Sequence, residues 1–137
     1  MPHQTATNKK AGLYTGGKTT LLPIYMPAPG TAHALTSGND IRTKEGLDDF
    51  LDQFNRLIGL DRLVVMHLND SKADINSRID RHENIGDGFI GFDGFRNIIN
   101  HPKLAHVSGV MEVPGLEGNG PDAANLERLH GLLTSSP

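Results

Sequence analysis

The stretch "TKEGLDDFLDQFNRLIGLDRLVVMHLN", residues 43–69, runs an amphipathic helix pattern straight into an unbroken apolar run, and few folds accept that junction. Leu47, Phe50, Leu51, Phe54, Leu57 and Ile58 recur at i, i+3, i+4, i+7, i+10 and i+11, which is one face of an α-helix. Thr43 suits the N-cap and Gly59 the stop. Leu63 to Met66 then form a continuous apolar segment, the pattern of a strand covered on both faces, as parallel sheets require. Helix followed at once by buried strand predicts an α/β fold.

The unit recurs. A polar loop over residues 69–91 leads into "FDGFRNIINHPKL", where Phe92, Phe95, Ile98 and Ile99 predict a short amphipathic helix. "HVSGVMEVPG" supplies a second candidate strand ending at Glu112. "GPDAANLERLHGLL" predicts a closing helix with Leu126, Leu129, Leu132 and Leu133 on one face and Pro121 near its start. This is the rhythm of a (β/α) barrel with too few units to close eight strands. At 137 residues the chain can bury one core. Residues 1–29, rich in Thr, Gly and Pro, read as a poorly ordered leader with at best one edge strand in the clump Leu21 to Met26.

Composition removes several classes. The sequence contains no cysteine, so a disulfide framework and thiolate metal sites are excluded, and any metal must be held by imidazole and carboxylate. A net charge of −3 is not that of a protein holding nucleic acid by charge alone; a local basic patch or bound cations would have to supply the attraction. The longest uncharged stretch, residues 19–38, is broken by three prolines and does not read as a membrane span. No targeting segment is recognisable, and a cytoplasmic location is expected.

Candidate ligands gather near predicted strand ends. His67 follows the first apolar run, where barrel enzymes build their sites, although a hydrogen-bonded structural histidine fits equally well. Asp80 and His82 form a D-x-H pair whose side chains, in an extended segment, point to one side. That ligand mix suits zinc, or manganese where more oxygen is present; a solvated loop is the plain alternative. Glu112 stands at the second strand end before a Pro-Gly turn, and His33 in "GTAHALTSGNDIRT" is expected at a similar strand-to-loop position. Lys72, Arg78 and Arg81 could contact phosphate oxygens; the alternative pairs Lys72 with Asp70 or Asp74, and the arginines with Asp80 and Glu83. Asp70 and Asp74 themselves read as ordinary loop carboxylates. The glycines of "IGDGFIGFDG" form neither a P-loop nor a dinucleotide fingerprint.

Taken together, "HLNDSK", "SRIDRHENIGDGFIG", "HALTSGNDIRT" and "MEVPG" resemble the C-terminal part of the endonuclease IV family, the zinc-dependent apurinic/apyrimidinic endonucleases of base-excision repair. The resemblance covers residues 30–137. It implies a TIM barrel whose last three βα units or so are present here. It implies a cluster of up to three zinc ions that hydrolyses the phosphodiester 5′ of an abasic site, with no catalytic residue beyond the metal ligands. Position by position, His33, Asp80 and His82 match the ligands of one zinc, and His67 and Glu112 match two ligands of a second. Ser77, Arg78 and Arg81 would lie near the DNA.

The departures from that pattern are specific. Where the family has D-T-C-H, this chain has "GTAH", so Gly30 replaces a ligand aspartate and Ala32 a cysteine. Residues 1–29 have no counterpart of the family's N-terminal half, which suggests a truncated product. Since two of three zinc sites lack ligands, incision by this chain alone is not expected. Two further readings stand beside the repair enzyme: a metal-binding half-barrel without activity, self-associating through open strand edges, and a sugar isomerase-type barrel. The basic S-R-x-D-R-H loop argues against the last.

Overall fold

A computed structural model describes residues 28–134; the leader and the clump Leu21 to Met26 lie outside the described residues. Its frame is a pair of parallel strands, β1 (Val65–Leu68) and β4 (Ser108–Met111), in the register Val65↔Ser108 to Leu68↔Met111. A third strand position stands on the other side of β1, where Gly30 bridges His67 in parallel and the His67 N–H donates to the Pro29 carbonyl at 2.9 Å. Between β1 and β4 a small antiparallel hairpin joins β2 (Asp70–Ser71) to β3 (His82–Glu83). The sequence pattern predicts one uninterrupted loop there. Two-residue strands carry no periodic signal, so the hairpin is invisible to pattern reading.

Each parallel strand position is followed by helix. After Gly30 come α1 (Thr31–Thr36) and α2 (Lys44–Leu57); after β1 and the hairpin comes α3 (Gly91–Ile99); after β4 comes α4 (Ala123–Leu132). These are three βα units of a TIM barrel, as the spacing of patterns predicts. Thr43 caps α2 as expected, its side chain accepting from the Gly46 N–H at 3.0 Å. The buried face of α2 is Leu47, Leu51 and Phe54, and burying three such side chains contributes on the order of 5 kcal/mol. Leu57 and Ile58 leave the predicted stripe and face solvent, because the chain turns away through Gly59 at φ 110°.

Two other expectations shift. The strand begins at Val65 rather than Leu63, which puts His67 inside β1 instead of just beyond it. On α4 the buried residues are Asn125, Leu129 and Leu132, while Leu126 and Leu133 are exposed. Asn125 takes the inner place because it has work there: its Oδ1 accepts the Ile85 N–H at 2.8 Å, and its Nδ2 donates to Asn84 Oδ1 at 3.1 Å and Asp122 Oδ1 at 2.8 Å. The core lies between the strands and helices, with Leu35, Leu47, Leu51, Met66, Leu68, Phe95, Ile98 and Leu129 among its members.

Candidate metal centre

Strand alternation decides which side chains can meet. Met66 and Leu68 point into the helix-side core, so Val65, His67 and Asn69 point to the opposite face. Val110 is registered with His67, and Glu112, two residues further, continues on that same face. Its N–H donates to the Leu68 carbonyl at 3.0 Å, which keeps it in the ladder. Gly30, bridged to His67, also belongs to that face. The hairpin then swings His82 over it, since β3 pairs His82 with Ser71.

The result is a chain of close approaches. His67 Nδ1 stands 3.4 Å from Glu112 Oε1, His82 Nδ1 stands 3.7 Å from the same oxygen, and His82 Nε2 is 3.4 Å from Asp80 Oδ1. Asp80 and His82 therefore converge, as their i, i+2 spacing in an extended segment predicts. Two ligands bound roughly 2.0–2.1 Å from a tetrahedral zinc stand about 3.3 Å from each other, so these separations match pairs of donors around one ion. Among the described residues, no group of three or more acidic or imidazole side chains is already gathered as a metal-holding set. The arrangement is one of closely spaced pairs.

Two of these residues carry buried polar atoms without hydrogen-bond partners. His67 is 6% exposed, and neither of its ring nitrogens has a hydrogen bond; its approach to Glu112 is not aligned as one. Both carboxylate oxygens of Asp80 are likewise buried and unsatisfied. Leaving such atoms desolvated and unpartnered costs free energy that a bound cation would recover. The donor set is nitrogen and carboxylate oxygen, as zinc or manganese accepts. These residues fit a divalent metal.

The other candidates fall elsewhere. His33 sits on α1 rather than at a strand-to-loop junction; it is exposed, and its Nε2 lies 3.4 Å from Ser37 Oγ. Ser77 and Arg78 belong to a loop stitched to the end of α1, with the Asn76 N–H donating to the Leu35 carbonyl at 3.1 Å and the Arg78 N–H to the Thr36 carbonyl at 3.0 Å. Asn76 and Arg78 adopt φ of 60° and 63°, a conformation rare for residues with a Cβ. Arg78 and Arg81 are exposed, and among the described residues neither side chain forms an ion pair, so the expected pairing with Asp80 and Glu83 does not occur. Asp74 approaches Arg42 instead of Lys72, at 3.7 Å.

Asp70 corrects the sequence reading most. It is fully buried: Oδ1 accepts the N–H groups of Ser71 and Ile90, both at 2.8 Å, and Oδ2 accepts those of Gly86, Gly88 and Gly91 at 3.0, 3.0 and 3.1 Å. A signal is present in "IGDGFIG", whose closely spaced glycines turn several N–H groups inward and so demand an acceptor. Asn69, buried beside the candidate ligands, is a second residue that the sequence pattern does not single out.

A family profile described as xylose isomerase-like TIM barrel matches residues 28–133, and the chain belongs to that family. Within it, the chain is similar to endonuclease IV. The Probable endonuclease 4 of Chlorobium limicola is 46% identical over 99 residues, which is 72% of this chain and 34% of that protein. The Probable endonuclease 4 of Clostridium botulinum is 51% identical over 89 residues, 64% of this chain and 31% of that one. The crystal structure of endonuclease IV from Thermus thermophilus superposes with a TM-score of 0.67 at 32% identity, covering 83% of this chain and 40% of that chain. The chain thus spans about a third of the length of these curated relatives. Among the described residues, no helix is long and apolar enough to cross a membrane.

Proposed function

We propose that this chain forms one wall of a metal-dependent apurinic/apyrimidinic endonuclease site, acting on DNA that contains abasic sites. The observation that carries the reading is the pair of buried, unsatisfied groups His67 and Asp80, set beside His82 and Glu112, in a chain similar to proteins named endonuclease IV. Asp80 and His82 would hold one cation, and His67 with Glu112 part of a second. His33, on α1, would complete the Asp80 and His82 pair. Zinc in such a donor set supplies Lewis acidity and a nucleophilic water near neutral pH.

The chain's own residues do the rest. The low exposure of His67 keeps water from competing for that donor. Exposed Arg78 and Arg81, without ion pairs among the described residues, present guanidinium forks to phosphate oxygens, and Ser77 stands beside them. Gly30 supplies no ligand, so the present donors suffice for about one ion. Multi-metal incision is therefore not expected of this chain by itself.

Incubation with an abasic-site duplex and with ketoses, each in the presence of zinc or manganese, separates the readings. Zinc-dependent binding of the duplex that is lost in Asp80→Asn supports the repair-type site. Ketose turnover would instead establish a sugar isomerase-type barrel. A second reading, self-association, is favoured by β4: Ser108, Gly109 and Val110 are exposed, and among the described residues β4 pairs with β1 only. Light scattering that shows a monomer at tens of micromolar would remove it.

A further inference from the structure

Asn69 sits in the buried hinge between β1 and β2, 1% exposed, and every polar atom it has is engaged. Its backbone N–H donates to Thr31 Oγ1 at 3.0 Å, and that hydroxyl donates back to the Asn69 carbonyl at 2.6 Å. Its side-chain Oδ1 accepts the Ala32 N–H at 2.9 Å. Since a backbone N–H can only donate, the orientation of the amide is settled: oxygen toward α1, nitrogen toward the candidate ligands. Nδ2 reaches Glu112 Oε1 at 3.3 Å and His82 Nε2 at 3.4 Å.

From this we infer that Asn69 is the positioning residue of the metal centre, a bracket that fixes Glu112 and His82 against the start of α1. The inference rests on the metal reading above. One amide spans three elements: the turn after Gly30, the hairpin strand carrying His82, and the segment after β4 carrying Glu112. Its two N–H bonds have different consequences. The one to Glu112 holds a carboxylate oxygen at the common point that both His67 and His82 approach, so the carboxyl group is set before a cation arrives. The one to His82 reaches Nε2, the nitrogen that also faces Asp80, and so holds the ring in place until a cation takes that nitrogen's lone pair. Outer-sphere partners of this kind change metal affinity by about 10–100-fold when removed.

A purely structural asparagine would make a different prediction, and a double-mutant cycle on the full chain separates the two. Cobalt(II) is titrated into the unaltered chain, Asn69→Ala, Glu112→Gln and the double variant, following affinity and the visible ligand-field spectrum, with melting of the metal-free proteins alongside. The expected result is about 10–100-fold weaker binding in Asn69→Ala with an altered spectrum, and a much smaller further loss when Glu112 is already Gln. Equal losses in both backgrounds, or none, would overturn the positioning role. If Asn69→Ala does not fold, the unaltered protein still decides the matter by NMR. The Asn69 side-chain amide protons should exchange slowly and shift on addition of zinc; solvent-averaged or unresponsive resonances count against it. Failure of the unaltered chain to take up cobalt removes the metal reading and this role together, whereas uptake indifferent to Asn69 removes this role alone.

Discussion

Replacing Asp70 by Asn changes one atom type and should nevertheless rank among the most damaging substitutions in the chain. The carboxylate receives N–H bonds on both oxygens, from Ser71 and Ile90 on one and from Gly86, Gly88 and Gly91 on the other. An asparagine has one acceptor oxygen. Its best placement keeps the three glycine bonds and turns the amide NH2 against the Ser71 and Ile90 N–H groups, leaving two buried donors unsatisfied. At about 1–3 kcal/mol for each stranded donor, the loss is about 2–6 kcal/mol, against a total stability of about 5–15 kcal/mol for a domain. Urea denaturation followed by far-ultraviolet circular dichroism gives the free energy directly. The melting temperature should fall on the order of 10 °C. Asp74→Asn is the control: that side chain is 58% exposed and lies 3.7 Å from Arg42, so about 0.5 kcal/mol or less is expected. Similar small losses in both variants would refute the claim that Asp70 anchors the loop between β3 and α3.

Three further outcomes test the fold and its electrostatics. Thr43→Ala removes the cap on the Gly46 N–H and should cost about 1 kcal/mol in denaturant unfolding. Gly46→Ala, although alanine is the better helix former, should destabilise by more than that cap, since its new Cβ would run into the Asp40 carbonyl; a gain in melting temperature would contradict the packing described. Acid sensitivity should trace to two carboxylates held below their usual range, Asp40 by the side-chain hydrogen bond from Arg42 and Asp122 by the N–H groups of Leu116 and Asn125. A depressed folded-state pKa stabilises the fold at pH values above the unfolded value near 3.8 and loses that contribution as pH falls through the folded value. The double variant Asp40→Asn/Asp122→Asn should therefore be less stable than the parent at pH values well above that unfolded value and converge with it in strong acid, as thermal melts across pH would show.

What can be read from sequence follows from length scale. The long periodic segment of α2 and the apolar run around β1 announce themselves because many residues repeat one signal, and Thr43 is recognisable as a cap from its place before that run. The D-x-H pair is legible because alternation in an extended segment is a local rule. Asp70, Asn69 and the β2–β3 hairpin are not, since their roles depend on partners up to 43 residues away that no local pattern specifies. His33 is misplaced by sequence for a related reason. A single bridging residue, Gly30, stands where a strand is expected, and helix begins immediately after it.

Zinc stoichiometry bears most directly on the central claim. Isothermal titration of the metal-free chain, repeated on a variant combining His67→Ala, Asp80→Asn, His82→Ala and Glu112→Gln and on Gly30→Asp, asks whether the clustered donors form a cation site. The account predicts about one zinc per chain, its loss in the combined variant with the fold retained by circular dichroism, and tighter binding in Gly30→Asp, whose new carboxylate would fall on the face of His67. Zinc uptake that is absent in the unaltered chain, or that survives removal of all four donors, would contradict it.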